Sequence, residues 1–330
     1  MPLQTISESS ITTCVIGGAG FIGRAVVAEL LARGRQVVVV GRNGSPQGLP
    51  PGVRYLESSP AAGLDVVRDA MAAATEVIDL AYSTSPGTSF QDPVNDILLN
   101  VPETVRVFEL AASLGHLRKF VWISSGGTVY GRTSAEPITE THSTLPLSPY
   151  GITKLALEKY AHLYFEIHQL PVVCVRPANA YGEGQQPYAS QGFIATAIAS
   201  ILDRRELTLF GEQGTLRDYL HVTDMAAGIV AALEDGVPGE VYNVGSGRGL
   251  TNRQVLEMLA PWAASQGGEL KVRVMPPRAF DVPANVLACD KLFAVSGWKP
   301  RLTMAQGLAQ TWNWYAARPL MLRHFSDVAQ

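Results

Sequence analysis

Residues 12–34 of the chain read TTCVIGGAGFIGRAVVAELLARG. The first five are β-branched or apolar throughout, as in a strand buried on both faces. The stretch FIGRAVVAELLARG repeats apolar residues at helical spacing. Between them Gly17, Gly20 and Gly23 stand at GxxGxxG, a spacing variant of the fingerprint in which a strand turns into a helix around a pyrophosphate. The first glycine makes the tight turn, the second lets backbone amides approach phosphate oxygens, and the third lets helix and strand pack closely. Phe21 and Ile22 open the helix, whose N-terminus offers positive potential to an anion. A glycine-rich turn without a ligand is the plain alternative, but the strand–turn–helix context favours a dinucleotide on these five residues.

The same alternation continues outward. Further β-branched runs lie at 36–40, 53–56, 76–81, 119–124 and 171–176, and helical patterns at 22–33, 63–74, 94–114 and 148–168. Strands that are apolar throughout and alternate with helices predict an α/β protein built on a doubly wound parallel sheet. Ser148 followed by Pro149 marks a helix entry, a cap and then a residue pre-set for the first helical position. Past residue 176 the pattern loosens into loops rich in Gly and Pro with shorter helices, a second part that folds over the first.

Composition excludes several classes. Lys and Arg number 26 against 29 Asp and Glu, a net charge of −3, so there is no basic excess to neutralise a nucleic acid. The longest apolar run, 193–202, falls far short of the roughly 18 residues that cross a bilayer, so no membrane partner is expected. The opening MPLQTISESS lacks the basic and apolar regions of a signal peptide. Cys14, Cys174 and Cys289 show no CxxC spacing, and the six histidines form no HExxH pattern. The expectation is a cytoplasmic protein with buried thiols and no metal.

The second strand should end in an acid that binds the adenosine ribose, but here it runs VVVV-Gly41-Arg42-Asn43. Gly41 removes the carboxylate that would repel a 2′-phosphate, and Arg42 offers a guanidinium to pair with one, which favours NADP. In the other reading Arg42 is a solvated turn residue, and Asn43 or Ser45 holds the ribose of NAD. Tyr150-Gly-Ile-Thr-Lys154 sets a phenol and an ammonium four residues apart on one helical face. An ammonium beside a phenol lowers its pKa, and the resulting tyrosinate can remove a hydroxyl proton. This pair follows KFVWISSGGTVYG, a strand whose C-terminal end should face the cofactor cleft.

The stretches GGAGFIG, ISSGGTVYG, SPYGITK, RPANAYGEG and LRDYLHVTD, in this order, resemble the extended short-chain dehydrogenase/reductase family. Within it they are most similar to nucleotide-sugar 4-epimerases of the UDP-glucose/galactose type, over about residues 11–315. The resemblance implies a Rossmann-type domain over 1–176, with a returning segment near 219–245, and a smaller nucleotide-sugar-binding α/β domain over 177–330. It implies tightly held NAD(P), with NAD the family's own cofactor, a UDP-sugar substrate, and a homodimer paired through helices 94–114 and 150–168. Carried over by position, Tyr150 is the catalytic base, and Lys154 binds the nicotinamide ribose and tunes Tyr150. Ala81 joins the cofactor set, and Asn100 resembles the Asn that opens the fourth helix and supports the active site. Asn179 and Arg217 would contact the sugar diphosphate, and Arg278 with Asp281 would hold diphosphate and nucleoside ribose. Asn285 falls where the family gates the sugar C2 substituent, and its small size would admit an N-acetylated hexosamine.

One position departs from the family pattern. Its catalytic Ser or Thr, four residues before the Tyr of VYG, is Gly126 here. The hydroxyl role passes to Thr128 against the sugar with Ser125 assisting, or is lost. Related dehydratases carry an Asp-Glu pair just before VYG, and decarboxylases a Glu; here Gly127-Thr128 supplies no carboxylate for elimination. Epimerisation at C4 needs only hydride removal and return plus one base. An NADPH-dependent reductase, suited to Gly41-Arg42, is the runner-up, a dehydratase ranks behind it, and a silent nucleotide-binding protein is the reading from outside enzymology.

Overall fold

The computed structural model of the protein describes residues 11–42, 48–58, 63–133, 136–189, 192–265, 270–278 and 281–318. In chain order the first half comprises β1 (Thr12–Ile16), α1 (Phe21–Ala32), β2 (Gln36–Gly41), β3 (Arg54–Glu57), α2 (Asp65–Ala72), β4 (Glu76–Asp79), α3 (Pro86–Gln91), α4 (Pro93–Leu114), β5 (Lys119–Ile123), α5 (Pro149–His168) and β6 (Val172–Pro177). Then follow β7 (Asn179–Tyr181), α6 (Phe193–Leu202), β8 (Leu207–Phe210), β9 (Leu216–His221), α7 (Val222–Asp235), β10 (Val241–Val244), β11 (Gly249–Thr251) and α8 (Asn252–Ser265). The last are β12 (Val272–Met275), β13 (Ala284–Asn285), α9 (Asp290–Ser296) and α10 (Met304–Ala316).

Seven strands form one sheet in the order β10-β6-β5-β4-β1-β2-β3, with every pairing parallel. This is the doubly wound architecture that the alternation predicts. Two-residue periodicity explains the apolar strands. In β5, Phe120 and Trp122 face one core with Phe108, Met71 and Leu157, whereas Val121 and Ile123 face the other with Leu30, Ile229 and Val230. In β1, Cys14 and Ile16 go to the first core and Val15 to the second. Helices α2, α4 and α5 thus cover one face, α1 and α7 the other, so both faces of these strands are mainly apolar and the few polar strand residues are paired, as Thr13 is with Glu76. Burial of a side chain such as Phe108 contributes roughly 1.5–3 kcal/mol.

Local chemistry sets where the helices begin. The Ser148 hydroxyl accepts from the Gly151 N–H at 3.1 Å, with Pro149 at the first helical position, and this fixes the start of α5. Asp92 caps α4 by accepting from Asn95 N–H at 2.9 Å. A buried ion pair ties α5 to the sheet: Arg176 of β6 donates to Glu158 through Nε at 2.9 Å and Nη2 at 2.6 Å.

A smaller sheet of β11, β9 and β13, with β7 also paired to β9, packs with α6, α8 and α10 around Ile198, Leu259 and Trp312. In the large sheet the chain passes from β1 to β2 on one side and returns to β4 on the other. The loops after β1 and β4 therefore diverge and leave a crevice at the carboxyl ends of the strands.

Candidate active site

Two cavities meet in that crevice and share Gly17, Gly20, Leu80 and Tyr82 as wall. The first, about 280 Å³, runs past Gly41, Arg42, Ser58, Asp79, Ala81 and Asn100. The second, about 610 Å³, reaches from Phe21, Ile22 and Gly23 past Ser125, Thr128, Tyr150 and Lys154 to Asn179, Arg217, Arg278 and Asp281.

The glycine turn is shaped for a close backbone approach. Gly17 has φ +78°, a left-handed conformation that suits glycine, and its N–H donates to Val40 O at 2.8 Å. A Cβ on Gly23 would lie 2.4 Å from Gly17 O. Gly20 is the N-cap of α1 and no side chain caps this helix, so its first amides are left for another acceptor. The glycine turn, the uncapped amides and a cavity on each side fit a dinucleotide pyrophosphate.

At the Gly41 end of the first cavity Arg42 Nη1 lies 3.4 Å from Ser83 Oγ. A Cβ on Gly41 would come within 2.8 Å of Tyr55 Oη, so the tyrosine of the next strand takes the room of a larger residue. Asn43 lies outside the described residues. Asn100 does not open its helix. It sits within α4, which begins at Pro93, and it holds the loop after β4 by accepting from Ser83 N–H at 2.8 Å and donating to Thr84 Oγ1 at 3.0 Å. The cap role falls to Asp92.

Tyr150 and Lys154 project into the second cavity from the first turns of α5. Lys154 is buried, and its Nζ donates to Ile123 O at 2.7 Å. Burial pushes this ammonium down to about 7, against the pull of Asp79, Glu158 and Asp96. Burial and then Asp96 push the Tyr150 phenol upward, and a hydrogen bond with Ser125 pulls the other way. The expected lowering of Tyr150 by Lys154 is therefore not what dominates. The ammonium sits 5.8 Å from the Tyr150 ring centroid but 3.8 Å from that of Tyr82.

Gly126 is buried and faces away from the cavity, with its N–H on Pro177 O at 2.9 Å. Ser125 and Thr128 line the cavity instead, and Thr128 Oγ1 is buried without a hydrogen-bond partner among the described residues. On the far wall Asn179 Nδ2 donates to Asp218 O at 3.3 Å, and Arg217 lies on β9 with Nη1 on Leu216 O at 2.8 Å. Arg278 and Asp281 form a two-point ion pair at 2.9 and 3.0 Å, with the guanidinium over the Phe210 ring.

Asn285 needs correction. It is 1% exposed, lies behind the wall, and donates through Nδ2 to Gly126 O at 3.0 Å. Its position in β13, paired with Arg217 of β9, turns it toward the core, so it gates no substituent, and the argument from it for an N-acetylated sugar lapses. Three residues escaped the sequence reading: Tyr82 against Lys154, Phe210 under Arg278, and Asp79, whose buried carboxyl accepts from Ala81 N–H at 2.9 Å and is pushed up to about 6 by burial. Asp79 ends a strand at the switch point, which was a signal for it; Tyr82 and Phe210 had none.

Comparison with known proteins agrees with this geometry. A UDP-glucose 4-epimerase of Mycolicibacterium smegmatis is 33% identical over 308 residues, covering 91% of this chain and 96% of that protein. The crystal structure of the Thermus thermophilus UDP-glucose 4-epimerase in complex with NAD superposes with a TM-score of 0.86 at 33% identity, covering 94% of this chain and 100% of that one. The Thermotoga maritima UDP-glucose 4-epimerase with UDP-glucose gives 0.84 at 31% identity, covering 93% and 99%. With residues 13–245 matching it, the chain belongs to the NAD dependent epimerase/dehydratase family.

Proposed function

We propose that the chain is a nucleotide-sugar 4-epimerase that uses a bound nicotinamide dinucleotide and acts on a UDP-hexose. The observation that carries this reading is one cavity whose wall includes the glycine turn at one end, Tyr150, Lys154, Ser125 and Thr128 at its middle, and Arg217 and Arg278 at the other. Among the described residues the only carboxylate lining that cavity is Asp281, already paired with Arg278. Elimination needs a second proton-transfer group beside the sugar, whereas epimerisation needs one base, so the wall suits epimerisation better than dehydration.

In this reading Tyr150 Oη takes the proton of the sugar C4 hydroxyl and returns it to the 4-keto sugar once that has turned over in the cavity. Ser125 orients the phenol, and Thr128 Oγ1 finds its missing partner in a sugar hydroxyl. Bound NAD or NADP supplies a hydride acceptor and then donor. The amides of α1 and the turn Gly17–Gly23 hold its pyrophosphate, and Lys154 its nicotinamide ribose. Asn179 and Arg217 take the substrate diphosphate; Arg278 and Asp281 take diphosphate and nucleoside ribose. The residues up to 176 with the segment 219–245 then serve the cofactor, and those from 177 onward serve the nucleotide-sugar.

Two finer points belong to the same proposal. The bare end of β2 and the exposed cation of Arg42 suit a 2′-phosphate and so favour NADP, although the Thermus relative is a complex with NAD. Helices α4 and α5 carry exposed apolar side chains, which a second copy of the chain would cover as a homodimer. Among the described residues no helix is long and apolar enough to cross a membrane, and a cytoplasmic site of action fits a UDP-sugar substrate.

The test is to incubate purified protein with UDP-glucose or UDP-galactose, without added cofactor, and to release and identify what it carries by denaturation. C4 interconversion with a dinucleotide retained through turnover is the expected result. Stoichiometric consumption of added NADPH without interconversion would instead establish the reductase.

A further inference from the structure

The Lys154 ammonium is buried, yet among the described residues just one of its N–H groups meets a carbonyl, that of Ile123. It also lies against aromatic rings. Its Nζ lies 3.8 Å from the centroid of the Tyr82 ring and 4.8 Å from that of Trp122. Tyr82 stands in the loop just after β4, in the wall shared by both cavities, and its ring meets Tyr150 edge to face with centroids 5.0 Å apart. A single side chain thus touches both members of the Tyr150–Lys154 pair, from a different element.

We propose that Tyr82 is a positioning residue for this pair, its ring face seating Lys154 Nζ and its T-shaped contact fixing the Tyr150 ring. This rests on the reading that Tyr150 and Lys154 carry the proton and bind the cofactor. The physical content lies in the quadrupole of the ring. An aromatic face attracts a cation without offering a hydrogen-bond acceptor, so it shelters the ammonium while leaving N–H groups to point at a ligand. A carboxylate in the same place would bind the ammonium more strongly and consume those donors. The other groups around Lys154 are Asp79 from β4, Asp96 from α4, and Glu158 and Tyr150 from its own helix, with Glu158 itself held by Arg176 of β6. Tyr82 remains a neutral phenol in this company, because burial and then the nearby Asp96 push its ionisation upward.

The decisive comparison separates ring shape from ring charge. Tyr82→Phe keeps the face, Tyr82→Leu removes it, and pentafluorophenylalanine at position 82 keeps the shape but reverses the quadrupole. Lys154 is followed by NMR in protein labelled with 13C at the lysine ε-carbons, its signal assigned by loss in Lys154→Met. The expected result is a Lys154 titration in Tyr82→Phe that matches wild type, and one lower by about half a unit or more in the leucine and fluorinated variants. Turnover on the UDP-hexose should fall about tenfold in those two, with KM changed far less, and recover in Tyr82→Phe. Equal Lys154 titration in the phenylalanine and pentafluorophenylalanine proteins, which share a shape should either variant with altered packing fail to fold, overturns the proposal. Failure of wild-type protein to interconvert any UDP-hexose overturns the epimerase reading instead, and leaves the titration as the test of Tyr82.

Discussion

Gly126 and Leu287 pack so closely that a Cβ on the glycine would lie 2.5 Å from Leu287 Cδ1, with Arg176 O at 2.9 Å and Pro177 O at 3.1 Å. The hydroxyl that the family carries at this position therefore has no room here, and residue 126 points into a small core of Val129, Tyr130, Ile138 and Leu287. Gly126→Ser should lower the free energy of unfolding by about 1–3 kcal/mol through overpacking and should bring no gain in turnover. Chemical denaturation of the variant checks the first point, and a steady-state assay the second. A serine variant as stable as wild type would show that Leu287 yields freely.

The contrast between what was legible and what was not follows from range. The strands and helices of the large sheet are written in local periodicity, since β5 must alternate between two cores, and Ser148-Pro149 marks where α5 begins. The glycine turn is equally local. Asn285 was misplaced because its neighbour is Gly126, and no spacing rule connects a two-residue strand to a loop 159 residues away. Tyr82 lies in an aperiodic loop, and only the folding of β4 beside β5 brings its ring onto Lys154. Asn100 was placed at a helix start by its resemblance to a family Asn, whereas the local helical pattern from residue 94 already sets it inside α4, whose true cap, Asp92, stands eight residues earlier in the chain.

Tyr150→Phe removes one oxygen and leaves the T-shaped contact with Tyr82 in place. If Tyr150 Oη carries the proton, turnover should fall by about a hundredfold or more, with cofactor still retained after gel filtration. Thr128→Val, which replaces the unpartnered hydroxyl by a methyl group, should cost about tenfold through the sugar contact alone. A threonine variant as impaired as the phenylalanine one would move the proton-transfer role toward Thr128.

The buried carboxyl of Asp79, pushed up to about 6, makes stability depend on pH with a definite sign. Because the folded protein holds this proton more tightly than the unfolded chain, whose carboxyl ionises near the ordinary value of 3.8, folding is favoured at low pH and loses ground as pH rises from about 4 to 6. Asp79→Asn keeps an acceptor for Ala81 N–H but cannot ionise. Its unfolding free energy relative to wild type should thus rise across that window, by on the order of 2 kcal/mol at pH 7, and change little below pH 4. Urea titrations at several pH values measure the difference directly. A constant offset across the window would show that Lys154 already neutralises the carboxylate.

Arg42 is exposed at the rim of the first cavity, and nothing acidic stands at residue 41 to repel a phosphate there. Arg42→Ala should weaken NADP binding about tenfold, the loss of one charge-assisted contact, and leave NAD within about twofold. Fluorescence titration of protein stripped of its cofactor checks both constants in one experiment. Equal effects on the two dinucleotides would remove Arg42 from the 2′ position.

Helix α5 has two apolar faces. Thr153, Leu157 and Ala161 are buried against the sheet and α4, whereas Ile152, Tyr160, Leu163 and Ile167 recur at helical spacing on the outside, with Ile167 66% exposed. Beside them α4 exposes Val94, Ile97 and Leu98. Polar residues on a face that stays in water cost a helix no stability, so an apolar stripe shared by two neighbouring helices is the surface that the proposed homodimer would cover. Two copies related by a twofold axis would bury the stripe of each against the other as a four-helix layer. Leu163→Glu would then place an unpaired carboxylate in that interface and should raise the dissociation constant by about a hundredfold or more. Sedimentation of wild type as a dimer and of the variant as a folded monomer is the expected outcome, since residue 163 makes no contribution to the monomer's core clusters. A wild-type monomer at micromolar concentration would show that α4 and α5 meet some other partner.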